Sequence, residues 1–539
     1  MKNRLNAIFA MVILLFSLNA CVQKQVQVSK VAEKPKNVIL LVGDGMGPEQ
    51  LGLLLTYARQ APNSVFIDGK TSFDRIMDDG GIMGFSMTNA NNVLVTDSAA
   101  SGSQLATGVY SGSEMIGLDK DGNPVETVVE KAIKAGKSTG LISDTRLTHA
   151  TPAAFASHQA HRSMENEIAV DMLNVGPDVL LGGGIRYWIP KEANDKTSAV
   201  RKELDEMTQG SVRIKSKRKD NRNLLKEAQE KGYSLAFNKS QLESAKGKTL
   251  GLFSYSAMPD GIRVSNSLED PKRTIPTLKE MSAKALDILS ENDKGFFLMV
   301  EAGLIDWAAH YNDTGLMLHE MLRINETLAY MLEWAKDRDD TLIIVTADHT
   351  TGGFGFSYTG KNIPKATDLP GEKFTDRKYK PGYNFGDPAV LDKLYKQKLS
   401  YTDIFDSQFG ALPKDQQTPA ALAREVNAYT DFPITEAQAS RVLETEENPI
   451  FVEGHSYLGS KVVPKLDNKD EFFVYQKYDN RQNLLALEVA ADQFVVWNTG
   501  THTATPVIVF ANGPDKSAFS NIMHHTDVGQ KIIEAVLAK

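Results

Sequence analysis

The chain has 539 residues, a formal net charge of −8 and 42% hydrophobic residues. That length and apolar content suffice for a large buried core, whereas the acidic balance argues against a general nucleic-acid binder. Cys21 is the single cysteine, which excludes an intramolecular disulfide and leaves stability to packing and bound ligands.

The N-terminus reads as an export signal. Lys2 and Arg4 precede an apolar run at residues 7–16 that is too short to span a bilayer. Leu18-Asn19-Ala20-Cys21 then resembles a bacterial lipoprotein cleavage box. Residues 1–20 are accordingly expected to be a signal peptide, with Cys21 as the lipidated first mature residue. An ordinary secretory signal cut near Ala20 is the alternative. Residues 21–36, polar with scattered valines, read as a tether. Val22 after Cys21 carries no inner-membrane retention signal under the usual bacterial rule. The expected location is therefore an outer membrane, facing the periplasm or the cell surface. No second apolar stretch is long enough to span a membrane.

Residues 37–539 read as one α/β body. Apolar strand signals lie at 38–42, 138–142, 178–181, 296–300, 341–345 and 506–510, with helical patterns between several of them. Met317, Met321, Ile324, Leu328, Met331 and Ala335 recur at intervals of three or four, which gives one apolar helix face. This alternation predicts a mostly parallel central sheet with helices on both faces. A final helix is expected over 527–538. Two segments break the rhythm, one charged (191–257) and one long and rich in Lys, Asp, Tyr and Pro (357–488), and both read as inserts. The basic run at 213–219, RIKSKRK, reads as a solvated loop.

The chemistry gathers after the strand signals. Residues 37–47, NVILLVGDGMG, end an apolar strand in a glycine-flanked Asp44, a pattern shared by ordinary turns. Ser98, behind Asp97, suits a helix start; it reads as a nucleophile needing a base or metal, or as a plain helix cap. Glu301, Asp306 and His310 follow the 296–300 strand, and the last two share a helix face. Asp plus His suits zinc, while Glu301 suits a harder ion such as magnesium. Asp348 and His349 follow the 341–345 strand. Sites of open α/β sheets lie beyond the carboxyl ends of strands, so these residues can converge. His158 and His161 are assigned local hydrogen bonds or packing, and His319, His524 and His525 structural or exposed positions; His455 lies in the long insert with no visible partner, and none of the six is given a catalytic role.

In this order and setting, Asp44, Asp97-Ser98, Glu301, Asp306, His310, Asp348-His349 and Thr501-His502-Thr503 resemble the alkaline phosphatase family. The resemblance runs from residue 37 to the end and leaves the two inserts largely unmatched. It implies an α/β core with two zinc ions (Zn2+) and one magnesium ion (Mg2+) beside a serine that becomes phosphorylated. Asp306, His310 and His502 match the first zinc set, and Asp44, Asp348 and His349 the second. Asp44 with Glu301 and Thr151 matches the magnesium set. Arg162 matches the arginine that clamps phosphate, a task suited to a guanidinium fork. The implied activity is that of an alkaline phosphatase, a phosphoric monoester hydrolase. Ser98 attacks phosphorus, and hydroxide supplied at zinc then cleaves the phosphoserine. The resemblance also makes a homodimer the expected assembly.

Two positions depart from the best-known bacterial pattern. His149 stands where that pattern has aspartate, and Trp307 where it has lysine; the pair looks more like a subgroup from some marine and cold-adapted bacteria. Two other readings compete: a phosphodiesterase or sulfatase relative using the same metals, and a lipoprotein that binds phosphate or metal without turnover. Retention of Ser98, Arg162 and the whole ligand set favours the monoesterase.

Overall fold

The structure, a computed structural model, describes residues 34–465 and 479–538. The expected signal peptide, Cys21 and most of the expected tether lie outside the described residues. The centre of the fold is β1 (Asn37–Gly43), buried along its whole length. Val38, Leu40 and Val42 enter one apolar core, and Ile39 and Leu41 enter another on the opposite face. Successive strand residues point to opposite faces, so a strand covered on both sides needs an unbroken apolar run.

Nine further strands complete one sheet: β2 (Ile82–Met87), β3 (Ser138–Arg146), β4 (Val179–Gly183), β5 (Ser234–Ala236), β6 (Thr249–Leu252), β7 (Phe296–Ala302), β8 (Thr341–Ala347), β9 (Val507–Asn512) and β10 (Ile522–His524). Their order is β10-β2-β9-β8-β1-β7-β3-β4-β6-β5. Every pairing is parallel except those of β9 with β8 and β2. The expected α/β class is therefore present. All six strand signals became strands, and β2, β5, β6 and β10 were added to them. β2 gave no such signal because it is covered on one face only: Met83, Phe85 and Met87 are exposed while Gly84 and Ser86 are buried.

Four helices matter for the site: α1 (Ser98–Thr107), α2 (Leu304–His310), α3 (Thr314–Ala335) and α4 (His525–Leu537). The apolar stripe expected on α3 is buried from Met317 to Met331. Asp313 caps α3 by accepting from Leu316 N at 3.0 Å. The same buried carboxylate also accepts from Tyr401 N at 2.7 Å and from Gln397 Nε2 at 2.9 Å. Burial nonetheless raises its pKa to about 6.

Those contacts root the long segment. Residues 357–388 contain one short 3-10 turn and a few isolated bridges, whereas the helices Ala389–Tyr395, Pro419–Tyr429, Glu436–Leu443 and Asp479–Gln493 follow. Their side chains, among them Leu391, Leu394, Leu422, Val442 and Leu485, join the core under one sheet face. The 191–257 segment is partly sheet, since β5 and β6 extend the edge beyond β4. Among the described residues, no helix is long and apolar enough to cross a membrane.

Candidate active site

The site is built at the carboxyl ends of three neighbouring strands, β8, β1 and β7. Asp44 follows β1, Glu301 lies near the end of β7, and Asp348 and His349 follow β8. Parallel register aligns them at one edge, with Val42 beside both Glu301 and Thr346. Gly45 has φ +68°, and a Cβ there would lie 2.8 Å from the Asp306 Cα, so the loop after β1 has no room for a side chain. β7 leads into α2, where Asp306 and His310 share a face. A short antiparallel pairing, Thr350–Thr351 with His502–Thr503, brings His502 back to the loop after β8.

These residues converge. His310 Nε2 is 3.3 Å from Asp306 Oδ2 and 3.2 Å from His502 Nε2. His502 Nε2 is 3.7 Å from Asp306 Oδ1. His349 Nε2 is 3.2 Å from Asp348 Oδ2 and 3.5 Å from Asp44 Oδ1. The rings of His349 and His502 stack at 3.7 Å, which joins the two sets. Thr151 and Asp44 both lie against Glu301. The ligand-type atoms of Asp44, His149 and Glu301 also lie within 4.8 Å of one another, so the third set includes an imidazole that sequence reasoning kept outside it.

In Asp348 and Glu301 one oxygen is tied down and the other is turned inward. Asp348 Oδ1 accepts from Gly45 N at 3.0 Å and His349 N at 2.8 Å, while its Oδ2 has no hydrogen-bond partner. Glu301 Oε2 accepts from Ser143 and from Thr145 Oγ1, the latter at 3.1 Å, while Oε1 is unpartnered. Asp306 Oδ1 accepts from Thr351 Oγ1 at 2.6 Å. Both Asp44 oxygens and the Thr151 hydroxyl are buried without a hydrogen-bond partner of good geometry. The imidazoles follow the same rule. His310 Nδ1 bonds to Gly500 O at 2.7 Å and His502 Nδ1 to Thr96 O at 2.9 Å, which puts the ring hydrogens there and turns both Nε2 lone pairs inward.

Such a cluster suits cations. Burial, then the charges of Asp348 and Asp306, push Asp44 well up. Burial, then Asp306, raises Asp348 to about 8, and burial raises Glu301. Burial also works against ionisation of Asp306, but His310, then His502, outweigh it and hold this group well below the usual carboxylate range. Burial lowers His349 well below its ordinary value and His502 to about 4, so both are neutral near pH 7, as ligands must be. Two mixed nitrogen and oxygen sets fit zinc, and the Asp44, Glu301 and Thr151 oxygens fit a harder ion.

Ser98 opens α1, and its Oγ lies 3.2 Å from His349 Nε2. Asp97 is the helix cap: its Oδ1 accepts from Ala99 N at 2.8 Å, and its Oδ2 accepts from Glu114 N at 2.7 Å. Both sequence readings thus meet here, with Asp97 as the cap and Ser98 facing the cluster. Arg162 Nη1 is 3.6 Å from Asp97 Oδ1, and its Nη2 is 3.4 Å from His149 Nε2. Burial, then Arg146 and Arg162, keep His149 well below its ordinary pKa. Trp307 stands edge-on to His149 at 6.0 Å.

Sequence reasoning missed several supports. Ser143 and Thr145 orient Glu301, and Asp144 accepts from Gly303 N at 2.6 Å, just ahead of α2. Their signal was present, since polar residues end the strand signal at 138–142 as Asp44 ends β1. His525 is fully buried and bonds to Asp348 O at 2.8 Å, behind the β8 loop. His158 and His161 bond to Gly117 O and Glu114, as expected of local roles. His455 borders the cleft before Ser98, together with Trp307 and Tyr457.

Comparison with known proteins agrees with this geometry. A family model described as alkaline phosphatase matches residues 35–538. Alkaline phosphatase 4 of Bacillus subtilis (strain 168) is 36% identical over 545 aligned positions, covering 98% of this chain and 95% of the relative. A cold-active alkaline phosphatase from a psychrophilic Shewanella sp. superposes with a TM-score of 0.65 at 26% identity, covering 93% of this chain and 99% of that one. The Thermus thermophilus alkaline phosphatase shares the fold, with a TM-score of 0.70 at 24% identity and coverage of 94% and 92%. Carrying the converging acids, imidazoles and serine on this sheet, the chain belongs to the alkaline phosphatase family.

Proposed function

We propose that the chain hydrolyses phosphate monoesters through a phosphoserine at Ser98 and releases inorganic phosphate. The observation that carries this reading is the Ser98 hydroxyl at the start of α1, 3.2 Å from His349 Nε2 and opening on the same cleft as Arg162. Phosphate monoesters hydrolyse extremely slowly unaided. Arg162 holds two non-bridging oxygens with its planar fork, where charge accumulates. Ser98 Oγ attacks phosphorus in line and the substrate's alkoxide leaves; water then breaks the phosphoserine bond from the opposite side and restores the hydroxyl. Asp97 serves both partners, fixing the helix start under Ser98 and standing beside Arg162.

Asp306, His310 and His502 would hold one zinc ion, and Asp44, Asp348 and His349 a second. Asp44, Glu301 and Thr151 would hold magnesium. Bound there, divalent cations supply Lewis acidity at both ends of the displacement, ionising the serine hydroxyl and water and neutralising the leaving oxygen. Trp307 provides no cation for the product, so phosphate leaves readily. Cys21 carries the lipid that anchors the exported protein to a membrane, facing the periplasm or cell surface. Met83, Phe85 and Met87 with Ile522, paired beside Phe85 and 79% exposed, form an apolar strip that a second copy covers in a homodimer.

Ser98→Ala is expected to lower turnover of p-nitrophenyl phosphate by about a thousandfold or more. In the same assay, activity mainly on bis-p-nitrophenyl phosphate would favour a diesterase, and no turnover of either ester by zinc-loaded protein would leave a binding role. Chelation should abolish activity and lower the melting temperature. Elemental analysis after reloading should then find two zinc ions and one magnesium per chain, with Glu301→Gln losing magnesium alone. Trp307→Lys should tighten product inhibition by phosphate about three- to tenfold, consistent with one added partly exposed ion pair; an unchanged inhibition constant contradicts the role given to Trp307. Cys21→Ser should abolish fatty-acid labelling, and Phe85→Glu should shift sedimentation from dimer to monomer.

A further inference from the structure

The cleft in front of Ser98 has a volume of about 730 Å³, more than a single phosphate group fills. Three guanidinium groups line it: Arg146, Arg162 and Arg186. Two have acidic company. Arg146 makes a two-pronged pair with Glu165, at 2.8 and 3.3 Å, and Arg162 stands by Asp97. Glu114, another acid of the cleft, pairs with His161 at 2.9 Å. Among the described residues, no carboxylate pairs with Arg186, and its Nε is buried without a hydrogen-bond partner.

Arg186 is nevertheless held in place. It occupies a single 3-10 turn, Ile185–Tyr187, directly after β4. Ile185 N donates to Ser254 O at 3.1 Å, and Arg186 O accepts from Lys217 N at 2.8 Å. Its Cζ lies 5.1 Å from the Tyr187 ring centre and 5.3 Å from that of Tyr255, with the Arg213 Cζ 4.9 Å from Tyr255. Stacking of this kind orients a guanidinium plane while leaving edge N–H groups for oxygen acceptors. Arg213 also begins the basic run read as a solvated loop. Arg213, Lys215, Lys217 and Lys219 alternate outward while Ile214, Ser216 and Arg218 are buried. The run therefore adds positive potential beside Arg186. His455 adds a ring N–H to the same cleft. Its Nδ1 accepts from Tyr457 N at 3.2 Å and Leu458 N at 3.1 Å, which leaves the ring hydrogen on Nε2.

We infer that Arg186 forms a second anion subsite and that the preferred substrates are phosphomonoesters carrying a second phosphate. The inference rests on the phosphatase reading and names its substrate class. The test compares kcat/KM for fructose 1,6-bisphosphate and fructose 6-phosphate, by initial phosphate release from the metal-loaded mature protein. The bisphosphate should be favoured about tenfold, the size of one charge-assisted hydrogen-bonded contact. Arg186→Gln should abolish that ratio through KM, and Arg186→Lys should keep part of it. Because the readout is a ratio, a general loss of activity cancels. An equal kcat/KM for both substrates in the unaltered protein, or an unchanged ratio in Arg186→Gln, overturns the subsite. Failure to hydrolyse any monoester would sink the phosphatase reading and this inference with it.

Discussion

Four acids, Asp44, Glu301, Asp306 and Asp348, are buried together at the ends of adjacent strands, and the rest of the fold accommodates that constraint. Buried charges are costly unless paired and hydrogen-bonded. The surrounding structure offers each acid only partial relief. Backbone N–H groups of Gly45 and His349 and the hydroxyls of Ser143, Thr145 and Thr351 fix particular oxygens. They leave the inward oxygens of Asp348 and Glu301 and both of Asp44's without partners. Full internal pairing would give a more stable protein with no affinity for cations. The site can be held half-satisfied because β8, β1 and β7 are buried along their whole lengths, with apolar cores on both faces.

That division explains what could be read from the sequence. An apolar run buried on both faces and ending in an acid or histidine is visible without coordinates, and Asp44, Glu301 and the Asp348-His349 pair were found this way. Asp306 and His310 were legible through helix spacing. His502 lies far from the other site residues in sequence, and Arg162 follows no strand signal, so the family resemblance assigned both. The strands β2 and β10 were not legible. Their burial is one-sided or their length is three residues, so neither gives a continuous apolar signal. Backbone carbonyls of Thr96 and Gly500, which set the histidine tautomers, leave no trace in side-chain identity.

The walls of the cleft obey a different logic from its floor. The floor is fixed by sheet register, where a one-residue slip would turn every side chain to the other face. The walls come from Arg186 behind β4, from Ser256 and from His455–Tyr457 in the long segment. Such segments tolerate change, so substrate choice can vary there without disturbing the ligands. The long segment is still no loose appendage. It shares an apolar core with the body and is tied to Asp313, three residues beyond His310, so its wall is positioned relative to α2.

His149 and Trp307 are best understood as a pair. They stand edge-on with ring centres 6.0 Å apart, where His149 also meets Arg162. Burial and the nearby Arg146 and Arg162 keep His149 neutral, so the pair adds no charge beside the arginines. Its Nδ1 is buried without a hydrogen-bond partner, and the residue sits within the Asp44 and Glu301 cluster. The Asp44 and Glu301 cluster therefore has a neutral imidazole beside its carboxylates, which adds no charge to that set. Arg162, with Asp97 at 3.6 Å, is a fixed positive charge bordering the cleft in front of Ser98.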